Sequence, residues 1–218
     1  MLLSMVLSQA RNGELKQLSS KDKTDEVVID FINMAMIALY SRFVLKTQEA
    51  VIALRSTKTI YNLDGSDADV TVAGATIEGG TVMVITEAYE ENGVSIGVND
   101  SSNVYSIFTP SYNQVQVPMV EDNSYISIIY KTNPVVVSFT DDGSGNAVDT
   151  NVDLPIQLLE PLLHYIGYRA HGSVDGSIST ENNTHLQRFR ASCNDIEKLG
   201  TLMQEDMNGL TVRDKGYV

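Results

Sequence analysis

The hydrophobic residues of this chain change their spacing twice. Early on, Val27, Phe31, Ala35, Leu39 and Phe43 recur every four residues, and Val28, Ile32 and Met36 widen the stripe. That period places side chains on one side of an α-helix and predicts a broad buried face. Late in the chain the helical period returns. Leu154-Pro155 opens a run with Ile156, Leu159, Leu162, Leu163, Ile166 and Ala170; a second run carries Leu186, Phe189, Cys193, Ile196, Leu199 and Met203. Between them lie short clusters of Val, Ile, Tyr and Thr separated by turn residues, which is the signature of strands. Helices are thus expected over 24–46 and 155–207, with strands between.

This pattern predicts an α+β fold. N- and C-terminal helices form a small helical bundle, interrupted by an antiparallel β-sandwich or barrel insertion. The expected division is 1–46 with 154–207 as a discontinuous helical core, 47–153 as the inserted β domain, and 208–218 as an extended tail. At 218 residues the chain can bury one good core or two small ones.

Local signals place the elements. Residues 1–11 suit a short helix with Leu3, Leu7 and Ala10 on one side, stopped by Asn12-Gly13. Thr24 precedes Asp25-Glu26, so a hydroxyl N-cap and first-turn acids are expected, with Arg42 at the opposite, negative end. Strands are expected at 49–54, 57–62, 70–73, 81–87, 94–98, 103–108, 114–120, 125–130 and 134–139. Asp64-Gly65, Gly79-Gly80, Asn92-Gly93 and Asp122-Asn123 read as hairpin turns, and Val82-Met83-Val84-Ile85 as a central strand. Pro161 either kinks its helix or marks the true first turn. Gly200 weakens the last helix and Gly209 is expected to end it.

Composition narrows the function classes. The net charge of −13 argues against a protein whose task is gripping DNA, since phosphate binding wants a Lys/Arg surface. It is compatible with a surface that DNA slides past. One cysteine, Cys193, excludes an intrachain disulfide and multi-cysteine zinc sites. Met1–Leu7 lacks a basic n-region and is a poor signal peptide, and no run of apolar residues is long enough to span a membrane as a helix. The protein is therefore expected to be made and used in a cytosol.

No catalytic pattern emerges. G-x-G-x-x-G after a strand, G-K-[ST] and G-x-S-x-G are absent. Asp141-Asp142-Gly143-Ser144-Gly145-Asn146 superficially suggests calcium but lacks the later acid and the flanking helices, so a plain turn is expected. His164 and His171, two helical turns apart, can share a face; Glu160 is the nearest acid, and no third ligand lies at helical spacing. His171 and His185 read as helix-end residues, and Cys193 as a buried helical thiol. Paired acids such as Glu90-Glu91 sit beside turns and read as solvated. The expectation is no enzyme, no cofactor and no metal. The charged residues with apolar neighbours, Arg42, Arg169 and Arg190, are the candidate inter-subunit contacts.

The helical segments carry a family likeness. Residues 25–43, DEVVIDFINMAMIALYSRF, follow a short helix and a polar loop. They resemble the opening of tailed-phage head–tail adaptor proteins, also called head-completion or connector proteins, in Asp25-Glu26, Val27-Val28, Phe31-Ile32, Asn33, Ala35 and Leu39. Residues 154–172, LPIQLLEPLLHYIGYRAHG, look like the family's second core helix, and 181–199, ENNTHLQRFRASCNDIEKL, like its third. The resemblance implies a homo-oligomeric, twelve-fold ring in the virion, beneath the portal at the head–tail junction and assembled in the host cytoplasm. Genomic DNA would pass through its channel without specific binding, and no membrane is involved. It also implies a C-terminal segment that docks on the portal, which puts Arg213, Lys215 and Tyr217 among the candidate contacts. Added domains in larger adaptors face outward or bind the tail nozzle or tail-fibre proteins.

Two other readings compete. One is a tail terminator or minor tail protein. The other is a receptor- or carbohydrate-binding module, with Tyr105, Tyr112 and Tyr125 as exposed aromatics. A terminator is mainly β with a helix packed on it. Far-UV circular dichroism well above roughly a quarter helix fits the adaptor reading; a predominantly β spectrum fits the terminator.

Overall fold

A computed structural model describes residues 1–72, 82–120, 124–143, 146–175 and 180–200, with side chains at 173–183 excepted. Among the described residues the fold is α+β, with four α-helices and two antiparallel sheets. The chain divides into two compact units: residues 1–45 with 134–218, and residues 46–133.

In the helical unit, α1 (Leu3–Asn12), α2 (Asp25–Arg42) and α4 (Thr180–Leu199) each pack against α3 (Leu159–Asp175). A short 3-10 turn, Ile156–Leu158, leads into α3. Pro161 is the third residue of α3, so it sits in the first turn, where its missing N–H costs nothing, and not at a kink. The core joins Leu3, Val6 and Ala10 of α1, Val28, Ile32 and Leu39 of α2, Leu162 and Ile166 of α3, and Cys193 of α4. Tyr165 meets Phe189 edge to face, with ring centroids 5.0 Å apart.

The stripe on α2 is rotated from its expected centre. Ile29 and Tyr40 are buried, while Val27 and Phe31 are only half-buried. The helix stops at Arg42 and not at 46; Phe43 turns extended, stays fully buried, and its N–H bonds the Leu39 carbonyl at 2.8 Å. Thr24 is the N-cap by backbone geometry, but its hydroxyl makes no capping hydrogen bond. The first-turn acid Asp25 is buried instead. It takes the Arg11 guanidinium on one oxygen and the Ala147 N–H, at 2.7 Å, on the other. Ile156, expected on the apolar face, is exposed, and Leu158 takes its place. The last helix ends at Leu199, where Gly200 adopts φ +61, the left-handed conformation suited to a helix C-terminus. Gly209 and Met203 lie outside the described residues.

Residues 134–153 belong with the helices, not with the β insertion that the sequence pattern extends to 153. The segment 134–139 is not a strand. Asn33 of α2 captures it: Nδ2 donates to the Val137 carbonyl and Oδ1 accepts from the Val137 N–H, both at 2.9 Å. A side-chain amide thus replaces the strand partner that its β-branched composition seeks. Further on, Asp149 accepts from both the N–H and the hydroxyl of Ser4 at 2.9 Å, satisfying the start of α1. Leu3 N–H bonds the Thr150 carbonyl at 2.9 Å, and the Tyr40 hydroxyl donates to the Asp153 carbonyl at 2.9 Å.

The β unit contains β1 (Thr47–Ala53), β2 (Ile60–Asn62), β3 (Val70–Val72), β4 (Val82–Glu90), β5 (Ser95–Ile96), β6 (Phe108–Ser111), β7 (Gln114–Gln116) and β8 (Tyr125–Thr132). One sheet runs β3-β1-β8-β4-β5 and the other β2-β7-β6, and neither closes into a barrel. Alternation fixes the faces: Ala50 and Ile52 on β1, and Ile126, Ile128 and Tyr130 on β8, point into a core shared with Tyr61, Leu63 and Val115 of the smaller sheet region. The Val82–Ile85 run belongs to β4, an interior strand between β8 and β5, although its pairing with β8 is bulged and Val84 is exposed. Asn92-Gly93 turns β4 into β5, with Gly93 at φ +82. Val104 and Tyr105 form a turn, Ile107 makes an isolated bridge to Val98, and the strand itself starts later, at Phe108. Gly79-Gly80 and Asp122-Asn123 lie outside the described residues. No helix among those described is long and apolar enough to cross a membrane.

Asn33→Ala removes both bonds to Val137 and is expected to destabilise the helical unit by about 1–3 kcal/mol, read from chemical denaturation of the full chain. Burial pushes the Cys193 thiol up from 9.0 to about 11. The native state therefore keeps a proton that the unfolded chain has lost between those values, and stability falls as pH rises through that window. Cys193→Ala should flatten this alkaline loss of stability in denaturation curves taken between pH 8 and 11.

Candidate functional site

Among the described residues of the helical unit, a cluster of titratable side chains surrounds Glu14. This residue follows Gly13 in the turn after α1, where a Cβ on residue 13 would stand 3.0 Å from the Gln9 carbonyl. Leu15, fully buried, and its N–H bond to the Ala10 carbonyl at 2.9 Å anchor that turn. Glu14 is thereby held towards α3 and α4, and all three histidines of the chain gather on it.

His164 Nδ1 lies 3.0 Å from Glu14 Oε1. His185 Nδ1 lies 2.9 Å from Glu14 Oε2, and His171 Nε2 lies 3.0 Å from the Glu14 main-chain oxygen. A carbonyl only accepts, so His171 carries its proton on Nε2 in that bond. His171 and His185 stack with centroids 5.0 Å apart and planes inclined by 11°. On its outer side His164 Nε2 is 3.6 Å from Glu160, which is exposed. The side chains of Glu14, His164 and His185 are 18%, 14% and 13% exposed, so the cluster is mostly shielded yet reachable by water. Gly167 of α3 makes room: a Cβ there would meet His185 Nδ1 at 2.9 Å and Glu14 Cβ at 3.2 Å.

The electrostatics are uneven. Burial holds His185 below the ordinary imidazole value; the Glu14 carboxylate opposes this, while His171, Arg188 and His164 add to it. His185 Nδ1 is buried and, despite its closeness to Glu14, has no aligned hydrogen-bond partner among the described residues.

The sequence places His164 and His171 on one helix face, and the structure brings both to Glu14. His185 is not at a helix end but five residues inside α4, and His171 is interior to α3. Glu14 was invisible to helical spacing because it comes from a turn 150 residues away from His164.

The predicted contact residues separate into three kinds. Arg42 serves its own chain: Nε and Nη2 reach the two oxygens of Glu197 at 2.5 and 3.0 Å, Nη2 also donates to Asn194, and the Glu197 contact raises the guanidinium above its ordinary value. Arg169 and Arg190 are exposed on α3 and α4. Arg213, Lys215 and Tyr217 lie outside the described residues. The Asp141–Asn146 segment bonds within itself, Asp142 N–H to the Asn146 carbonyl at 2.9 Å and Gly143 N–H to Asp141 at 2.9 Å; Ser144 and Gly145 are outside the described residues.

The β unit has a separate open groove of about 950 Å³, with Tyr105, Tyr125, Glu90, Asn92 and Met119 in its lining. Tyr105 and Tyr125 are 69% and 48% exposed. Tyr112 is also exposed.

Gly167→Ala is expected to lower the melting temperature, an overpacking cost of about 1–3 kcal/mol against a helix-propensity gain of about 1 kcal/mol. In a His185→Ala background most of that cost should vanish, a coupling that a double-mutant cycle reads directly.

Residues 6–213 match the family model described as SU10 adaptor protein, a phage head–tail adaptor family. No curated protein matches the chain.

Proposed function

We propose that this chain, which belongs to the SU10 adaptor protein family, is a structural virion part whose copies form a ring between portal and tail. Membership itself supports a structural adaptor role in the phage particle. The ring, its place under the portal and its extension of the DNA channel are the proposal.

One observation supports the ring more than any other. The helical unit exposes large apolar side chains beside a well-packed core: Met34 and Ile37 on α2, and Val135 and Val136 on the strand-like segment that Asn33 ties to α2. Val135 and Val136 are 64% and 69% exposed. We read these exposed apolar side chains, which the Asn33–Val137 tie brings to one region, as interface surface. A ring needs a second, different face on each subunit; the exposed Arg169 and Arg190 on α3 and α4 are proposed to supply its polar contacts. The tail bearing Arg213, Lys215 and Tyr217 is proposed to dock on the portal, the β unit to meet a nozzle or fibre protein, and the net charge of −13 to keep passing DNA from adhering. Twelve copies are proposed, on the resemblance of the helices to head–tail adaptors.

The groove holding Tyr105 and Tyr125 favours a second reading, in which the β unit binds a glycan. Aromatic faces beside Glu90 and Asn92 are the right chemistry for sugar rings and their hydroxyls.

Electron microscopy of the full chain mixed with the portal of its phage tests the first reading. A ring seated on the portal is expected. Ile37→Asp and Val136→Asp should abolish the ring while changing the chain's own stability by no more than about 0.5 kcal/mol. A chain that stays monomeric and ignores the portal overturns the reading.

A further inference from the structure

We propose that Glu14, His164 and His185 form a binding site for one transition-metal dication of the zinc class. The inference does not depend on the adaptor role. It starts from donor chemistry: two imidazole nitrogens and one carboxylate oxygen make a set that zinc and its neighbours accept, while magnesium and calcium prefer all-oxygen shells.

Geometry carries the argument. The three donor atoms lie within 4.8 Å of one another. Glu14 is within 3.0 Å of His164 Nδ1 and 2.9 Å of His185 Nδ1. Around a tetrahedral zinc with bonds of about 2.0–2.1 Å, ligand atoms stand ~3.3 Å apart. An ion on one carboxylate oxygen therefore opens that oxygen's short contact by a few tenths of an ångström and draws in the other imidazole, the donor atoms now spanning no more than 4.8 Å. The ligands come from the turn after α1, from α3 and from α4, so one ion would staple three segments of the helical unit.

His185 supplies the second observation. Its Nδ1 is buried and lacks an aligned partner among the described residues, although a carboxylate oxygen is 2.9 Å away. An orphaned buried nitrogen is rare and asks for an explanation; a metal bond satisfies it where the present hydrogen-bond geometry does not. Burial favours the neutral imidazole, the form that coordinates metals.

The surroundings fit a supported site. His164 would bind as the tautomer with its proton on Nε2, which lies 3.6 Å from the exposed Glu160, close enough for that side chain to swing in and accept it. His171 fixes both other ligands, stacking on His185 and holding the Glu14 main chain through Nε2. The absence of a side chain at Gly167 lets His185 approach α3. A fourth position would go to water, since the three side chains keep 13–18% exposure.

Calorimetric titration of the tag-free full chain, stripped with chelator, tests this with zinc chloride at neutral pH. Saturation at one ion per chain is expected, with a raised melting temperature. Cobalt should give the visible absorption of a four- or five-coordinate ion, and millimolar magnesium should change nothing. His185→Asn and His164→Asn should each weaken zinc binding by about ten-fold or more. Cys193→Ala should leave it unchanged, because the thiol is not a ligand. Failure of the wild-type chain to saturate at one equivalent overturns the site, whatever the variants do. So does binding that survives loss of either histidine or disappears with Cys193.

Discussion

Helix α3 is the surface on which the helical unit is built. α1, α2 and α4 all pack against it, and its buried face of Leu162, Ile166 and Ala170 touches elements from both ends of the chain. Among the described residues, no other helix packs so extensively against the rest of the unit. Burying side chains of this size stabilises by about 1.5–3 kcal/mol each, and losing one leaves a cavity as well. The N-terminal helices therefore need residues more than a hundred positions downstream before their own apolar stripes are covered. The polar ties are secondary but they fix register. Asp25 joins α1, α2 and the 147 region, Asn33 pins the segment at Val137, and Asp149 satisfies the start of α1. Each is a short side chain doing a backbone's work where two elements meet off any regular ladder.

That arrangement explains what the sequence could and could not reveal. The four-residue recurrence on α2 and the Leu162–Ile166–Ala170 spacing announced helices because burial on one face leaves a periodic trace. The Val, Ile and Tyr content at 49–54 and 125–130 announced strands, whose inward faces the structure assigns to Ala50, Ile52, Ile126, Ile128 and Tyr130. The segment 134–139 misled because Val-rich composition signals an extended backbone, not a sheet partner, and Asn33 supplies the partner from a helix. Thr24 looked like a hydroxyl cap, yet the buried carboxylate of Asp25 is the group that organises that end. Gly200, flagged in the sequence only as a weak point, takes the left-handed conformation that closes α4 at Leu199.

The histidine cluster shows the same division between local and distant information. Two histidines seven apart were readable as neighbours on one face. Their meeting with Glu14 and His185 was not, because it depends on the tertiary packing of α3 against α1 and α4. The contact residues behave likewise. Arg42 has the composition of an interface residue but spends its guanidinium on Glu197 and Asn194 within its own chain. The exposed Ile37, Val135 and Val136 drew no notice in sequence, since apolar residues in a helix or a strand-like run look like core until a structure shows them outside. Family membership gives those surfaces the context in which they are proposed as contacts.

The central claim is that both ends of the polypeptide share one interior through α3. Native-state hydrogen exchange of the full chain, compared with a Leu162→Ala variant, tests it directly. The account predicts that α1, α2 and α4 lose amide protection together, while β1, β4 and β8 keep theirs. Loss confined to α3 and α4, with α1 and α2 as protected as before, would contradict it.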